Sequence, residues 1–177
     1  MADMHKVFVY GTLKRGIYNH RLLPTEGSGG PDSAVARWLC DALTIETWPM
    51  VVASRYSIPF MLDAPNRVAA ALQVKGEVYE VNDLCLSQLD RLERHPDWYV
   101  RTPVKVRRIV KEQLRTGSAA GAVIQSDPEV EVIQAYVLPP GRFHPSLLER
   151  EHYLSEYQDV NSDNAVRVYV PPAARPT

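Results

Sequence analysis

Val7-Phe8-Val9-Tyr10-Gly11-Thr12-Leu13-Lys14-Arg15-Gly16 begins with four β-favouring apolar residues and stops at a glycine. A run this apolar suits a central strand covered on both faces. A glycine directly after such a strand lets the backbone turn sharply and come close to a ligand. The amides that follow can then donate to a carboxylate or carbonyl oxygen, and Thr12 adds a hydroxyl. On spacing alone, a plain strand-to-loop turn is the simpler reading, because turn glycines are common. The stretch is not a phosphate loop: Gly16 is followed by Ile17, so the G-x-x-x-x-G-K pattern is absent.

Outward from this stretch, strands predominate. Asn19 to Leu23 suits a short helix. Leu39 to Thr47 alternates loosely as a strand, and Met50-Val51-Val52-Ala53 follows the break at Pro49. Val74-Lys75-Gly76-Glu77-Val78-Tyr79-Glu80-Val81 alternates as a half-buried strand should. Next comes the clearest helix. Asn82 or Asp83 can cap it, Leu84, Leu86, Leu89 and Leu92 recur near helical spacing, and Pro96 is the expected stop. Val100 to Lys111 and Val130 to Leu138 read as partner strands. Between them, residues 112–129 are rich in Gly, Ala and Ser and too long for a tight hairpin, which predicts a mobile surface insertion. Pro145 to Tyr157 suits a helix, and the Pro- and Ala-rich 171–177 reads as a disordered tail. The pattern predicts one α+β domain over residues 1–170, with a mixed sheet that has the option of closing as a barrel.

Bulk properties narrow the function classes. A chain of 177 residues fits one domain with a real core. With 20 basic and 21 acidic residues, the charge balance gives no electrostatic case for nucleic acid or an anionic membrane. The N-terminus lacks the apolar stretch of a signal peptide and no apolar run is long enough for a membrane span, so the expected compartment is the cytoplasm. The two cysteines, Cys40 and Cys85, lack near partners at metal-binding spacing and read as reduced, semi-buried thiols. Fourteen prolines favour loops and edge strands over a helical bundle.

Few residues stand out as chemistry. Glu93 follows Leu89 by four positions and Leu92 by one, which puts it on the apolar side of the predicted helix. A carboxyl facing inward is costly unless it is paired, neutral or used, so Glu93 is a candidate general base. A solvated helix charge flanked by Arg91 and Arg94 is the competing reading. The five histidines show no metal-binding spacing, so no metal is expected. No G-x-S-x-G nucleophile elbow occurs. Lys105-Val106-Arg107-Arg108 reads as a solvated strand face.

Four segments in order resemble the γ-glutamylcyclotransferase-like superfamily, and within it the γ-glutamylamine cyclotransferases. They are Val7 to Gly16 with Asn19-His20; Glu46 to Ala53 with Ile58-Pro59-Phe60; Val74 to Val81; and Leu89-Asp90-Arg91-Leu92-Glu93 with Tyr99-Val100-Arg101. The resemblance implies a small mixed β-barrel with flanking helices. It implies that Tyr10, Gly11, Thr12 and Leu13 hold the substrate, that Glu93 is the general acid/base, and that Tyr99 lies near the pocket. Lys14 and Arg15 would matter less than the backbone beside them. The implied reaction releases 5-oxoproline and a free amine from a small γ-glutamylamine such as γ-glutamyl-ε-lysine. The α-amine of the substrate attacks its own γ-carbonyl, so no protein nucleophile, metal or cofactor is required. Two alternatives stay open: a cyclotransferase for γ-glutamyl amino acids, and a non-catalytic ligand-binding or stress-response protein of the same fold.

Overall fold

The computed structural model of the chain describes residues 3–24, 33–53, 57–109 and 129–158. Residues 25–31, a loop by composition, the insertion through residue 128 and the tail lie outside these residues. The elements are β1 (Met4–Val9), a 3₁₀ turn (Tyr18–Leu22), β2 (Ala36–Trp48), β3 (Met50–Val52), β4 (Pro59–Met61), β5 (Leu72–Asn82), α1 (Asp83–Glu93), β6 (Val100–Arg108), β7 (Val130–Val137) and a second 3₁₀ turn (Pro145–Leu148). Five strands close a barrel in the order β1-β5-β2-β6-β7, and β3 pairs with β4 apart from it. Every barrel pairing is antiparallel except β1 with β7, where Val7 faces Gln134 and Phe8 faces Ala135. The barrel therefore closes as a mixed sheet.

The apolar run in β1 is explained by this position, since both its faces are covered. Phe8 packs with Ala42, Val74, Val78, Val104, Val106, Ile133, Ala135 and Val137, which come from the other four barrel strands; only the barrel interior brings these together. Val7 and Val9 point the opposite way and pack with Leu86 and Leu89 of α1. Gly76, in the middle of β5, makes room for that arrangement. A Cβ there would sit 2.5 Å from the Val9 carbonyl oxygen and 2.6 Å from the Phe8 ring.

Asn82 caps α1: its side chain accepts from Cys85 N at 3.0 Å, a contact worth about 1 kcal/mol. Cys85, Leu86 and Leu89 form the buried face, whereas Leu84 and Leu92, expected in the core, are 44% and 43% exposed. The helix ends at Glu93, before the expected stop at Pro96. Arg94 adopts a left-handed backbone (φ 54°, ψ 42°), and His95 N donates to Asp90 O at 2.8 Å.

The helix expected over Pro145 to Tyr157 is a single 3₁₀ turn followed by an irregular strap. The strap uses its backbone to bridge strands: Lys75 N donates to Ser155 O at 2.7 Å, and Leu154 N to Met50 O at 2.9 Å. Tyr153 and Tyr157 anchor it in the two clusters of core residues. Separate aromatic anchors, rather than a continuous apolar stripe, fix this segment.

Candidate active site

Where β1 ends, the chain turns into a loop that lines a cavity of about 450 Å³, within the usual range for small-ligand sites. Tyr10, Gly11, Thr12 and Leu13 form one wall, Leu89, Leu92 and Glu93 of α1 another, and Ile58, Pro59, Phe60, Trp98, Tyr99 and Tyr136 complete it. The amides of Gly11, Thr12 and Leu13 find no acceptor among the described residues. The loop is nevertheless held firmly. Asn19 N donates to Thr12 O at 3.1 Å, Asn19 Nδ2 donates to Thr12 Oγ1 at 3.0 Å, and His20 Nδ1 lies 3.1 Å from Leu13 O. Gly11 sits close to Pro59: a Cβ there would meet Pro59 Cγ at 3.0 Å, so the proline ring would have to give by a few tenths of an ångström.

Glu93 keeps partial access to the cavity, but its carboxyl is closely surrounded by protein, and burial pushes its pKa up to about 7. The carboxyl makes no hydrogen bond or ion pair among the described residues. Three buried phenols surround it electrostatically. Burial first, and then the Glu93 charge, raise the Tyr10 pKa; burial, Tyr10 and Glu93 raise that of Tyr99; burial, Asp90 and Glu93 raise that of Tyr136. All three therefore remain protonated donors at neutral pH. Tyr10 OH donates to Tyr136 O at 2.6 Å, and Tyr136 OH donates to Asp90 Oδ1 at 2.7 Å. Arg101 Nε lies 2.9 Å from the same Asp90 oxygen. The aspartate and arginine of the Leu89-to-Arg101 block thus brace the last turn of α1, which carries Glu93. Chemically, a carboxyl with a raised pKa and a run of open amide donors line one cavity.

On the far side of the loop, a charged clamp fixes its end. Glu77 is 6% exposed; it accepts from Arg15 N at 3.0 Å, Arg15 Nε at 3.0 Å and Tyr79 OH at 2.8 Å. Lys14 is 7% exposed and donates to Glu156 Oε1 at 3.1 Å and Tyr157 O at 2.9 Å. Burial alone would raise the Glu156 pKa, but Lys14 and Lys75 outweigh it and hold the carboxyl below its usual value. The charges at 14 and 15, which the sequence reading set below the loop backbone, are what hold that backbone. Lys14→Met should cost about 1–3 kcal/mol, because Tyr157 O and part of the Glu156 carboxylate lose their donor. The urea midpoint reads this directly, and an unchanged midpoint would show that the loop stands without the clamp.

The structure brings Tyr10, Gly11, Thr12, Leu13, Glu93 and Tyr99 to one cavity. Tyr136, Asn19 and Glu77 belong to the same assembly and were not among the candidates. Asn19 stood in the quoted motif but carried no chemical role there. Glu77 lay within an alternating strand, where a charge reads as solvated. Tyr136 had no local signal, since only the parallel closure of β1 on β7 brings it to Tyr10. Among the described residues, no group of His, Cys, Asp and Glu side chains could hold a metal ion. No helix among them is long and apolar enough to cross a membrane.

Residues 7–154 match the family described as Gamma-glutamyl cyclotransferase, AIG2-like. Gamma-glutamylaminecyclotransferase C of Danio rerio is 32% identical over 163 residues, covering 92% of this chain and 91% of that protein. Gamma-glutamylaminecyclotransferase of Homo sapiens is 36% identical over 150 residues, covering 85% and 88%. The crystal structure of a mouse AIG2-like protein superposes with a TM-score of 0.72 at 27% identity, covering 97% of this chain and 99% of the other.

Proposed function

The chain belongs to the Gamma-glutamyl cyclotransferase, AIG2-like family, and from that premise we infer how its cavity carries out the reaction. The protein is a γ-glutamylamine cyclotransferase. The observation that carries the mechanism is the buried, unpartnered Glu93 carboxyl facing the same cavity as the open amides of Gly11 to Leu13.

In this mechanism the loop amides hold the substrate's α-carboxylate and polarise its γ-carbonyl. The walls fold the glutamyl chain so that its α-nitrogen lies against the γ-carbon. Glu93 takes a proton from the α-ammonium, and the freed amine attacks. A tetrahedral oxyanion forms, the γ C–N bond breaks as the proton on Glu93 passes to the leaving nitrogen, and the second proton of the new ring nitrogen goes to the departing amine, which leaves as an ammonium. The products are 5-oxoproline and the free amine, with Glu93 returned to its starting state. A carboxyl near 7 is a much stronger base than an ordinary glutamate, which suits it to take a proton from the α-ammonium. Tyr99, 7% exposed and stacked on Phe60 with centroids 6.1 Å apart, shapes the wall beside Glu93. Residues 1–170 act as one domain in this reading, which the match across 7–154 supports. A cytoplasmic setting suits the free, buried Cys40 and Cys85.

The test offers purified protein γ-glutamyl-ε-lysine, γ-glutamyl-alanine and glutathione, and measures 5-oxoproline. Product from the first and little from the others is expected; product mainly from γ-glutamyl-alanine would favour the amino-acid alternative. Absence of product from all three would point to a non-catalytic binding protein. A pH prediction accompanies it. The working base is the carboxylate, so kcat/KM should rise as Glu93 loses its proton, with an apparent pKa of about 7. An acid limb centred near the ordinary glutamate value of about 4.3 would remove the raised pKa from the mechanism.

A further inference from the structure

The two halves of the site sit on elements far apart in the chain: the open amides follow β1, and Glu93 ends α1. One residue of β7 is bonded to both. The Tyr136 carbonyl oxygen accepts from Tyr10 OH at 2.6 Å, at the head of the loop. The Tyr136 phenol donates to Asp90 Oδ1 at 2.7 Å, one helical turn before Glu93. Strand alternation sends Ala135 and Val137 into the barrel with Phe8 and turns Tyr136 the other way, into the cluster that holds Leu86 and Leu89 of α1. Arg101 is the cross-strand partner of Tyr136, so both side chains stand on one face of the sheet. They meet the same Asp90 oxygen, Arg101 with Nε at 2.9 Å. Asp90 fastens the helix end through its backbone as well, since its carbonyl accepts from His95 N at 2.8 Å. The Tyr136 ring meets His95 edge-on, with centroids 6.3 Å apart.

We propose that Tyr136 is a positioning residue for the cyclisation, fixing the separation between the Glu93 carboxyl and the amides of Gly11 to Leu13. The inference rests on the cyclotransferase reading above. That reaction asks two things of the site at once: the amides must hold the γ-carbonyl while the base reaches the α-nitrogen. A misplacement of about 1 Å between such groups is enough to slow the chemistry strongly. The single phenol proton of Tyr136 is committed to Asp90, so this residue acts through the helix that carries Glu93 and not on the substrate carbonyl. Its two bonds are also separable. Tyr136→Phe removes the link to Asp90 and leaves the backbone carbonyl that receives Tyr10 OH.

The experiment measures kcat and KM for γ-glutamyl-ε-lysine in wild type, Tyr136→Phe, Asp90→Ala, the double variant and Asp90→Asn. Tyr136→Phe should lower kcat about tenfold and leave KM within about twofold of wild type. Asp90→Ala should lower kcat at least as much, and the double variant should be no slower than Asp90→Ala, because both changes remove the same hydrogen bond. Asp90→Asn keeps an acceptor oxygen and should recover most of that loss. The acid limb of kcat/KM should move to lower pH in Tyr136→Phe, as a loosened helix end lets water reach the Glu93 carboxyl. A kcat within about twofold of wild type in Tyr136→Phe, whatever its urea stability, would overturn the proposal by reducing the residue to a structural one. Multiplying losses in the double variant, or an acid limb that stays in place, would also overturn it. So would a raised KM at unchanged kcat, by making Tyr136 a substrate contact. If Tyr136→Phe does not fold, the Asp90 variants decide: recovery in Asp90→Asn supports the proposal, and equal kcat in Asp90→Asn and Asp90→Ala overturns it. Turnover indifferent to these changes leaves the cyclotransferase reading intact, whereas no 5-oxoproline from the wild-type protein defeats that reading and the positioning role with it.

Discussion

Glu93→Gln is expected to lower kcat by about 10²- to 10⁴-fold, the range for loss of a positioned general acid/base. Glutamine keeps the shape of the side chain and a neutral polar end, so the cavity should keep its form and substrate should still bind. The same variant carries a stability signature. Burial raises the Glu93 pKa from its ordinary value to about 7. The folded state therefore holds a proton that the unfolded chain gives up at lower pH. Between the ordinary glutamate range and about 7, folded wild-type protein binds more protons than unfolded, and stability falls as pH rises. Above that window the enclosed charge is fully developed and its cost is complete. Glu93→Gln removes this term, so its urea midpoint should gain on that of wild type as pH rises, with a clearly larger advantage at pH 8 than at pH 5. A kcat within tenfold of wild type would remove Glu93 from the chemistry. A midpoint difference that does not change with pH would mean that its carboxyl is not buried in solution.

Gly76→Ala is expected to be the most damaging single-methyl change to the fold. The new Cβ would lie 2.5 Å from Val9 O and 2.6 and 2.7 Å from Phe8 ring atoms. Neither obstacle moves freely. Val9 is the last residue of β1, and Phe8 is 1% exposed inside the barrel. Overpacking usually costs about 1–3 kcal/mol, and here backbone as well as side chain must shift, so about 3 kcal/mol or more is expected. That is a large share of the 5–15 kcal/mol by which domains are typically stable. Urea denaturation measures it. The double change Phe8→Leu with Gly76→Ala should recover only part of the loss, since the Val9 carbonyl remains in place. A loss below about 1 kcal/mol for Gly76→Ala would show that β1 and β5 can separate readily at this point.

What the sequence made legible was local. The apolar run at Val7 to Val9 announced a strand covered on both faces because its composition left no polar side. Glu93 could be placed on the inward side of its helix from its spacing to Leu89, although Leu92, used in the same argument, is largely exposed. The glycine at 76 was visible in a strand, but its reason was not, because the Phe8 ring and Val9 carbonyl arrive from a strand nearly 70 positions away. Tyr136 and the Lys14–Glu156 contact are long-range products of barrel closure, and no window along the chain contains both partners. Pro145 to Tyr157 reads as helical because Leu147, Leu148 and Glu151 sit at suitable spacing, but only Pro145–Leu148 forms a 3₁₀ turn and the rest is fixed by the Tyr153 and Tyr157 anchors.

The clamp behind the loop after β1 joins residues 142 positions apart, Lys14 and Glu156. During synthesis the loop emerges well before its fastener. A nascent chain that has passed Tyr136 already contains every side chain lining the cavity, Glu93 included, yet holds the loop amides without their rear support. The loop thus takes its held shape only when a segment made much later reaches back to fasten it.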